Sequence, residues 1–414
     1  MNGGNKNILA INGGSSSIKF SVYETGETLT KWLSGKVDRI GLEDTVLTFK
    51  DMRRKHDGGP AAADAGNNGG KSLPVDARDL SGAGAFLIGW LEQQLGDEGL
   101  AAVGHRLVYG LDHHQAGLID DALLEELQHI SEYDPDHLPG EIALIRLFRR
   151  HDPGLPQVAC FDTAFHATMP KLARLLPIPR RYEEAGLRRY GFHGLSYAYI
   201  MEELVRIAGP AAAHDSVILA HLGNGASLAA VKNGVSVDTT MGFTPAGGVV
   251  MGTRPGDLDP GVAWWLFDKE GFDASGFNHF INHECGLLGI SETTSDMRDL
   301  LSRESSDERA AEAIGLFCYQ VRKMIGAYAA VLGGLDTLVF TGGIGESSAI
   351  IRSRICAGMG WLGVDLDQRA NAAGALFLSA EDTRVGVYAI PTDEEWMIAR
   401  TVSETIKEFN KSIV

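Results

Sequence analysis

Short apolar runs, three of them leading into glycine turns, alternate along the chain with longer runs in which apolar residues recur at helical spacing. The short runs predict strands over 8–11, 18–23, 156–161, 216–220, 338–340 and 385–390. The longer runs predict helices over 121–130, 141–149, 197–207, 308–332 and 394–409, with another near 82–94. Strands alternating with helices in this way define an α/β fold.

The first strand pair flanks Asn12-Gly13-Gly14-Ser15-Ser16-Ser17-Ile18-Lys19. Its glycines let backbone N–H groups approach an anion, Asn12, Ser15 and Ser17 add short donors, and Lys19 adds a charge. An ordinary Gly/Ser hairpin would look the same in isolation. The pattern returns in His221-Leu222-Gly223-Asn224-Gly225-Ala226-Ser227, between two apolar strands. It returns again in Thr341-Gly342-Gly343-Ile344-Gly345-Glu346-Ser347, where a strand runs through a turn into a helix. This recurrence points to two related halves and to a polyanion such as the phosphate tail of a nucleotide.

At 414 residues the chain is long enough for two domains. Its net charge of −17 argues against a nucleic-acid or membrane-surface partner, either of which wants a basic face. Any anionic substrate must therefore meet a local cationic pocket. The first residues lack a cationic-then-apolar signal pattern and no apolar run reaches the length of a spanning helix, so a cytoplasmic location is expected. Cys160, Cys285, Cys318 and Cys356 are scattered without metal-ligand spacing, which predicts buried free thiols. The stretch 51–72, rich in Gly, Ala and charge, reads as a flexible loop between the segment 45–50 and the 82–94 helix. Within it Ala65-Gly66-Asn67-Asn68-Gly69-Gly70-Lys71-Ser72 nearly matches a Walker A loop. Alanine stands at the first glycine, however, and no apolar strand leads in, so the segment is read as loop.

Asp162 follows the 156–161 strand, at the end where ligands bind in open α/β sheets; a helix-capping role is the open alternative. His193 sits between Phe192 and Gly194, a setting that favours exposure in a cleft over core packing. Arg106 lies in an apolar, Gly-bounded run and Arg254 in a Gly/Pro turn. Held guanidinium groups suit bidentate binding of carboxylate or phosphate, with a structural ion pair as the alternative for each. Thr392 with Glu395 three residues on predicts a capping box, which leaves Glu394 as the freer carboxylate. Asp162 and Glu394 could supply the one or two carboxylates that Mg²⁺ takes beside phosphates and water.

Together these segments resemble the acetate kinase family, within the acetate and sugar kinase/Hsc70/actin superfamily, along nearly the whole chain. The resemblance implies a two-domain actin-like ATPase (ribonuclease H-like) fold with a cleft between duplicated domains. An N-terminal domain over 1–163 would be completed by a helix over 394–414, and a second domain over 164–393 would carry nucleotide-binding loops. It also implies reversible phosphoryl transfer between ATP and a short-chain carboxylate, giving ADP and an acyl phosphate, with Mg²⁺ (Mn²⁺ as the alternative) and a homodimer. Position by position, Asn12, Ser15, Ser17 and Lys19 match the first phosphate loop, and His221, Asn224 and Gly225 the second. Asp296, Met297 and Arg298, with Gly343 and Ile344, resemble the adenosine-contacting segments. Arg106, Asp162, His193 and Arg254 match the phosphoryl-transfer residues. Glu394 matches the magnesium carboxylate, with Asn12 and Asp162 beside it. Val108, Phe192 and Pro245 match three walls of the acyl pocket.

Several positions depart from the family pattern. Where Pro-Leu-His-Asn-Pro-x-Asn is common, this chain has Pro135-Asp136-His137-Leu138-Pro139-Gly140-Glu141, so Asp136 replaces a pocket leucine. Tyr109 stands for a usual histidine and Ser347 for an asparagine near the nucleotide. These changes bear on the acid and nucleotide preferred more than on the reaction. A kinase for propionate or another short-chain or hydroxylated acid, or a nucleotide-switched binding protein without catalysis, are the alternatives.

Overall fold

The computed structural model describes residues 6–14, 16–53 and 70–413, which leaves Ser15 and the near-Walker residues 65–69 outside the described residues. The chain divides into two compact units. One comprises Met1–Ala164 and Asp393–Val414, the other Phe165–Thr392.

The first unit is built on β1 (Asn7–Gly13), β2 (Ile18–Glu24), β3 (Thr30–Asp38), β4 (Val46–Asp51), β5 (Lys71–Pro74), β6 (Leu100–Leu107), β7 (Gly117–Leu118) and β8 (Gln157–Phe161). They form one sheet in the order β5-β4-β3-β2-β1-β6-β8-β7. β1 and β2 pair antiparallel with Asn12 opposite Lys19, and β1 pairs parallel with β6. The core under this sheet joins Leu9, Ile11, Phe20 and Val22 to Leu87, Leu91 and Phe148 of the helices Leu80–Leu95 and Leu138–His151. On β6, Gly104 meets the helix Glu394–Ile413 so closely that an added Cβ would stand 2.5 Å from methyl groups of Ile398 and Val402. Only a residue without a side chain lets that helix reach the sheet.

The second unit contains β9 (Ser216–Leu222), β10 (Ala226–Lys232), β11 (Val235–Thr239), β12 (Thr337–Thr341) and β13 (Gly386–Ala389), in the order β11-β10-β9-β12-β13. Its first three strands pair antiparallel and its last two join in parallel. The run β3-β2-β1-β6-β8 of the first unit has the same order and the same directions. The predicted recurrence is thus a repeated topology. The long helix Glu308–Leu332 is capped by Asp307 and closed by Gly333 at φ 75°.

Observed elements extend most of the predicted ones by a residue or several. The 141–149 helix begins earlier, at Leu138, because Pro139 suits the first helical turn. Two readings are corrected. Lys71 and Ser72, read as loop, lie in an exposed edge strand, Lys71–Pro74, that pairs with β4; its backbone finds a partner that composition does not reveal. Thr392 does not cap the C-terminal helix. Asp393 does, accepting from the Trp396 N–H at 2.9 Å, while the Thr392 N–H donates to Glu346 at 2.9 Å. Cys160, Cys318 and Cys356 are buried and Cys285 half-buried, and all four are free thiols. No described helix is long and apolar enough to cross a membrane.

Candidate active site

In the first unit the candidate residues gather at the ends of β1, β6 and β8. Arg106 leaves the end of β6 and donates to Oδ2 of Asp162 through Nη2 at 2.6 Å and Nε at 3.0 Å. Asp162 is 1 % exposed. The ion pair considered as an alternative for Arg106 is therefore made, with another candidate residue as its partner. Burial opposes the guanidinium charge, but Asp162, Glu141 and Glu394 outweigh it and raise the Arg106 pKa.

Glu394, half-buried at the start of the C-terminal helix, accepts from the Asn12 amide at 2.8 Å. Burial and the Asp162 carboxylate push its pKa up, against the pull of Arg106 and Lys19. A carboxylate desolvated beside another carboxylate and an amide is a donor set that a hard cation would stabilise. Among the described residues no three His, Cys, Asp or Glu side chains group as a metal site. Lys19 is exposed on β2. In the turn below, the Gly14 N–H donates to the Ser17 carbonyl at 2.8 Å.

Val108 is buried, and its N–H donates to the Glu141 carboxyl, 3.1 Å from Oε2. Burial pushes Glu141 up to about 8, with Arg106 opposing. Asp136 is half-buried in a turn closed by His137 Nδ1 and Asp134 Oδ1 at 2.8 Å. Tyr109 is buried and stacks on Tyr133, the ring centroids 6.5 Å apart.

In the second unit, His193 starts the helix Gly194–Ala208 with φ 61°, a left-handed conformation that turns its ring toward the β9–β10 turn. The ring stacks on His221 at 4.2 Å and 15°. Its Nδ1 lies 2.8 Å from the Ser227 hydroxyl, and Nδ1 of His221 lies 2.9 Å from the Ser196 hydroxyl. Arg254 donates to the Pro245 carbonyl at 2.7 Å. A Cβ built on Gly225 would stand 2.8 Å from a guanidinium nitrogen of Arg254 and 3.2 Å from Nε2 of His193. Nearby, a Cβ on Gly252 would strike Asn224 Oδ1 at 2.1 Å, so a side chain there would displace the Asn224 amide where the Arg254 loop crosses the turn. Phe192 is buried.

A cavity of this unit is lined by Asn224, Asp296, Met297, Arg298, Gly343, Ile344 and Ser347. The structure therefore brings together adenosine-contact candidates drawn from distant segments. Asp296 accepts from the Arg298 N–H at 2.8 Å and pairs with its guanidinium at 2.5 Å. The hydrogen bond from the Arg298 guanidinium, more than the backbone one, holds the Asp296 carboxyl down at about 2. Ser347 turns back to the Gly343 carbonyl.

The helix Gly342–Ser347 is pinned by two groups that the sequence pattern did not single out. Glu346 accepts from the Gly342 N–H at 2.9 Å. Arg352, 1 % exposed, donates to the carbonyls of Gly345 and Glu346 at 2.8 Å and to Asn371 at 2.7 Å. Ser227, Ser196, Tyr197 and Glu141 were likewise without an assigned role. An arginine in an otherwise apolar helix face was the one available signal.

The strand order repeated in both units, with a glycine turn after the first strand of each, defines a two-domain actin-like ATPase fold. The model of the acetokinase family matches residues 7–400. Among relatives, the acetate kinase of Rhodopseudomonas palustris is 43% identical over 406 residues, covering 95% of this chain and 97% of its own. Among solved structures, the acetate kinase of Porphyromonas gingivalis superposes with a TM-score of 0.84 at 33% identity, covering 97% of this chain and 100% of that one. The propionate kinase of Francisella tularensis superposes with a TM-score of 0.86, also at 33% identity, covering 96% and 98%. The chain belongs to the acetokinase family.

Proposed function

We propose that this protein transfers the γ-phosphoryl group of ATP to acetate, reversibly, giving ADP and acetyl phosphate. The family match over residues 7–400 carries the reading, and the intact set of Arg106, Asp162, His193 and Arg254 supports it. A carboxylate oxygen attacks the γ-phosphorus in line. The new O–P bond forms as the bond to the β,γ-bridging oxygen breaks, and ADP leaves with that electron pair. The attacking carboxylate is already deprotonated, so no general base is needed and catalysis is positioning and charge stabilisation. Arg106 would bind the substrate carboxylate and Arg254 the equatorial phosphoryl oxygens, to which His193 would also donate.

Asn12, Ser17 and Lys19, with His221, Asn224 and Gly225, would hold the phosphate tail. The cavity lined by Asp296, Met297, Arg298, Gly343 and Ile344 would take the adenosine. Val108, Phe192 and Pro245 would wall the acyl group. Glu394 and Asp162, with Asn12, would hold Mg²⁺, which when bound neutralises phosphate charge. A cytoplasmic location is supported by four free thiols. A homodimer is supported by exposed Trp264, Trp265 and Phe267 on the second unit.

Trapping the acyl phosphate as hydroxamate, across acetate, propionate, butyrate and a hydroxy acid, tests the reaction and its substrate together. Likeness to a propionate kinase favours propionate as the second substrate. A nucleotide-switched binding protein would hydrolyse or bind ATP without making hydroxamate from any acid.

A further inference from the structure

Two hydroxyl groups stand behind the imidazole of His193. Nδ1 lies 2.8 Å from Oγ of Ser227, and that same Oγ lies 2.5 Å from the phenol oxygen of Tyr197. Ser227 on β10 and Tyr197 on the Gly194–Ala208 helix are both fully buried, so water does not compete for either hydroxyl. The ring is fixed elsewhere too, by the left-handed backbone of His193 and by its stack on His221. Nε2 consequently faces Gly225, on the side where Arg254 arrives.

A neutral imidazole carries one proton, and the partner of one nitrogen decides where it sits. A phenol is the stronger donor of the two hydroxyls, so the short contact runs from Tyr197 to the Ser227 oxygen. Ser227 then gives its own proton to Nδ1, and the ring proton resides on Nε2. We infer that Tyr197 and Ser227 are positioning residues that keep His193 in its Nε2–H form, so that the ring offers a donor, not a lone pair, to a transferring phosphoryl oxygen. The inference rests on the proposed role of His193 as that donor.

The ¹⁵N resonances of imidazole-labelled protein read the tautomer directly, with His193 assigned by comparison with His193→Gln. At a pH where His193 is neutral, Nε2 is expected to carry the proton in the full-length protein. Tyr197→Phe and Ser227→Ala should each shift population toward Nδ1–H and lower kcat for acyl phosphate formation about 10- to 100-fold. KM for ATP and for the acid should stay within about two-fold, as expected when an interaction made only in the transition state is lost. Ser227→Thr, which keeps the hydroxyl, should restore both readouts. A wild-type His193 protonated on Nδ1, or an unchanged tautomer and kcat in Tyr197→Phe, would overturn the relay. The tautomer is read without turnover, so a protein with the Nε2–H ring that makes no acyl phosphate would count against the proposed function alone.

Discussion

His193 and Arg254, more than sixty positions apart in sequence, bring Nε2 and a guanidinium nitrogen over the single missing side chain of Gly225. The guanidinium is the mobile end of a long side chain, so a methyl group there would push it aside without disturbing the core. Gly225→Ala should therefore lower kcat by about 10²-fold, the scale of an ångström misplacement. The urea unfolding midpoint should hardly move. Steady-state kinetics paired with urea titration checks both halves.

Removal of either arginine should be more severe. Arg254→Ala and Arg106→Ala are expected to lose on the order of 10³-fold in kcat, by analogy with arginines that stabilise phosphoryl transfer. Lysine should rescue poorly, because Arg106 uses Nε and Nη2 on one Asp162 oxygen, a fork that an ammonium lacks. Near-normal turnover in a folded Arg254→Ala protein would refute its role.

Asp136 replaces a leucine of the family pattern, yet its turn is closed locally by Asp134 and His137. A carboxylate facing a small apolar pocket would be costly to desolvate. We expect it to face away, and Asp136→Leu to leave the ratio of kcat/KM among acetate, propionate and a hydroxy acid unchanged within about two-fold. A shift of that ratio toward propionate would make Asp136 a selectivity residue after all.

Gly104 bears on stability. With methyl groups of β-branched Ile398 and Val402 at 2.5 Å from an added Cβ, the alanine variant cannot relieve the clash by rotating a long side chain. Gly104→Ala should cost about 1–3 kcal/mol, read as a lower urea midpoint. It should also raise the KM for Mg²⁺, since the displaced helix begins with Glu394.

Next to it, His105 is buried and bonded to Gln157 at 2.7 Å. Burial holds its pKa down at about 4 from an ordinary 6.5. Between those values the unfolded chain binds the extra proton, so stability rises with pH and falls on acidification. The slope from this group approaches about 1.4 kcal/mol per pH unit within that window. Urea midpoints measured from pH 7 to pH 4.5 should decline less steeply in His105→Gln than in the wild type.

Much of this was legible in the chain because the β1–β2 and β9–β10 hairpins are local. Apolar alternation and a glycine turn within one short segment specify each of them. What the pattern missed depends on partners far away. Thr392 and Asp393 are adjacent and equally able to cap a helix; Asp393 takes the cap, while the Thr392 N–H turns to Glu346, a partner more than forty positions away. Tyr197 fits an apolar helix face, so nothing in its spacing tells that its hydroxyl reaches Ser227. The Lys71–Pro74 strand has no apolar face to display, and only pairing with β4 makes it a strand.

The strand order common to the two units hides an asymmetry in how they are assembled during synthesis. Residues 165–392 are contiguous, so that half is available for folding as soon as it has been translated. The other half begins first and finishes last. The bare strip of β6 at Gly104 stays uncovered until Ile398 and Val402 emerge from the ribosome, and Glu394 arrives with them. A nascent chain stalled before that point would hold a sheet with one face unclothed and lack the proposed metal carboxylate, so protection of the first half and competence for catalysis arrive in the same step.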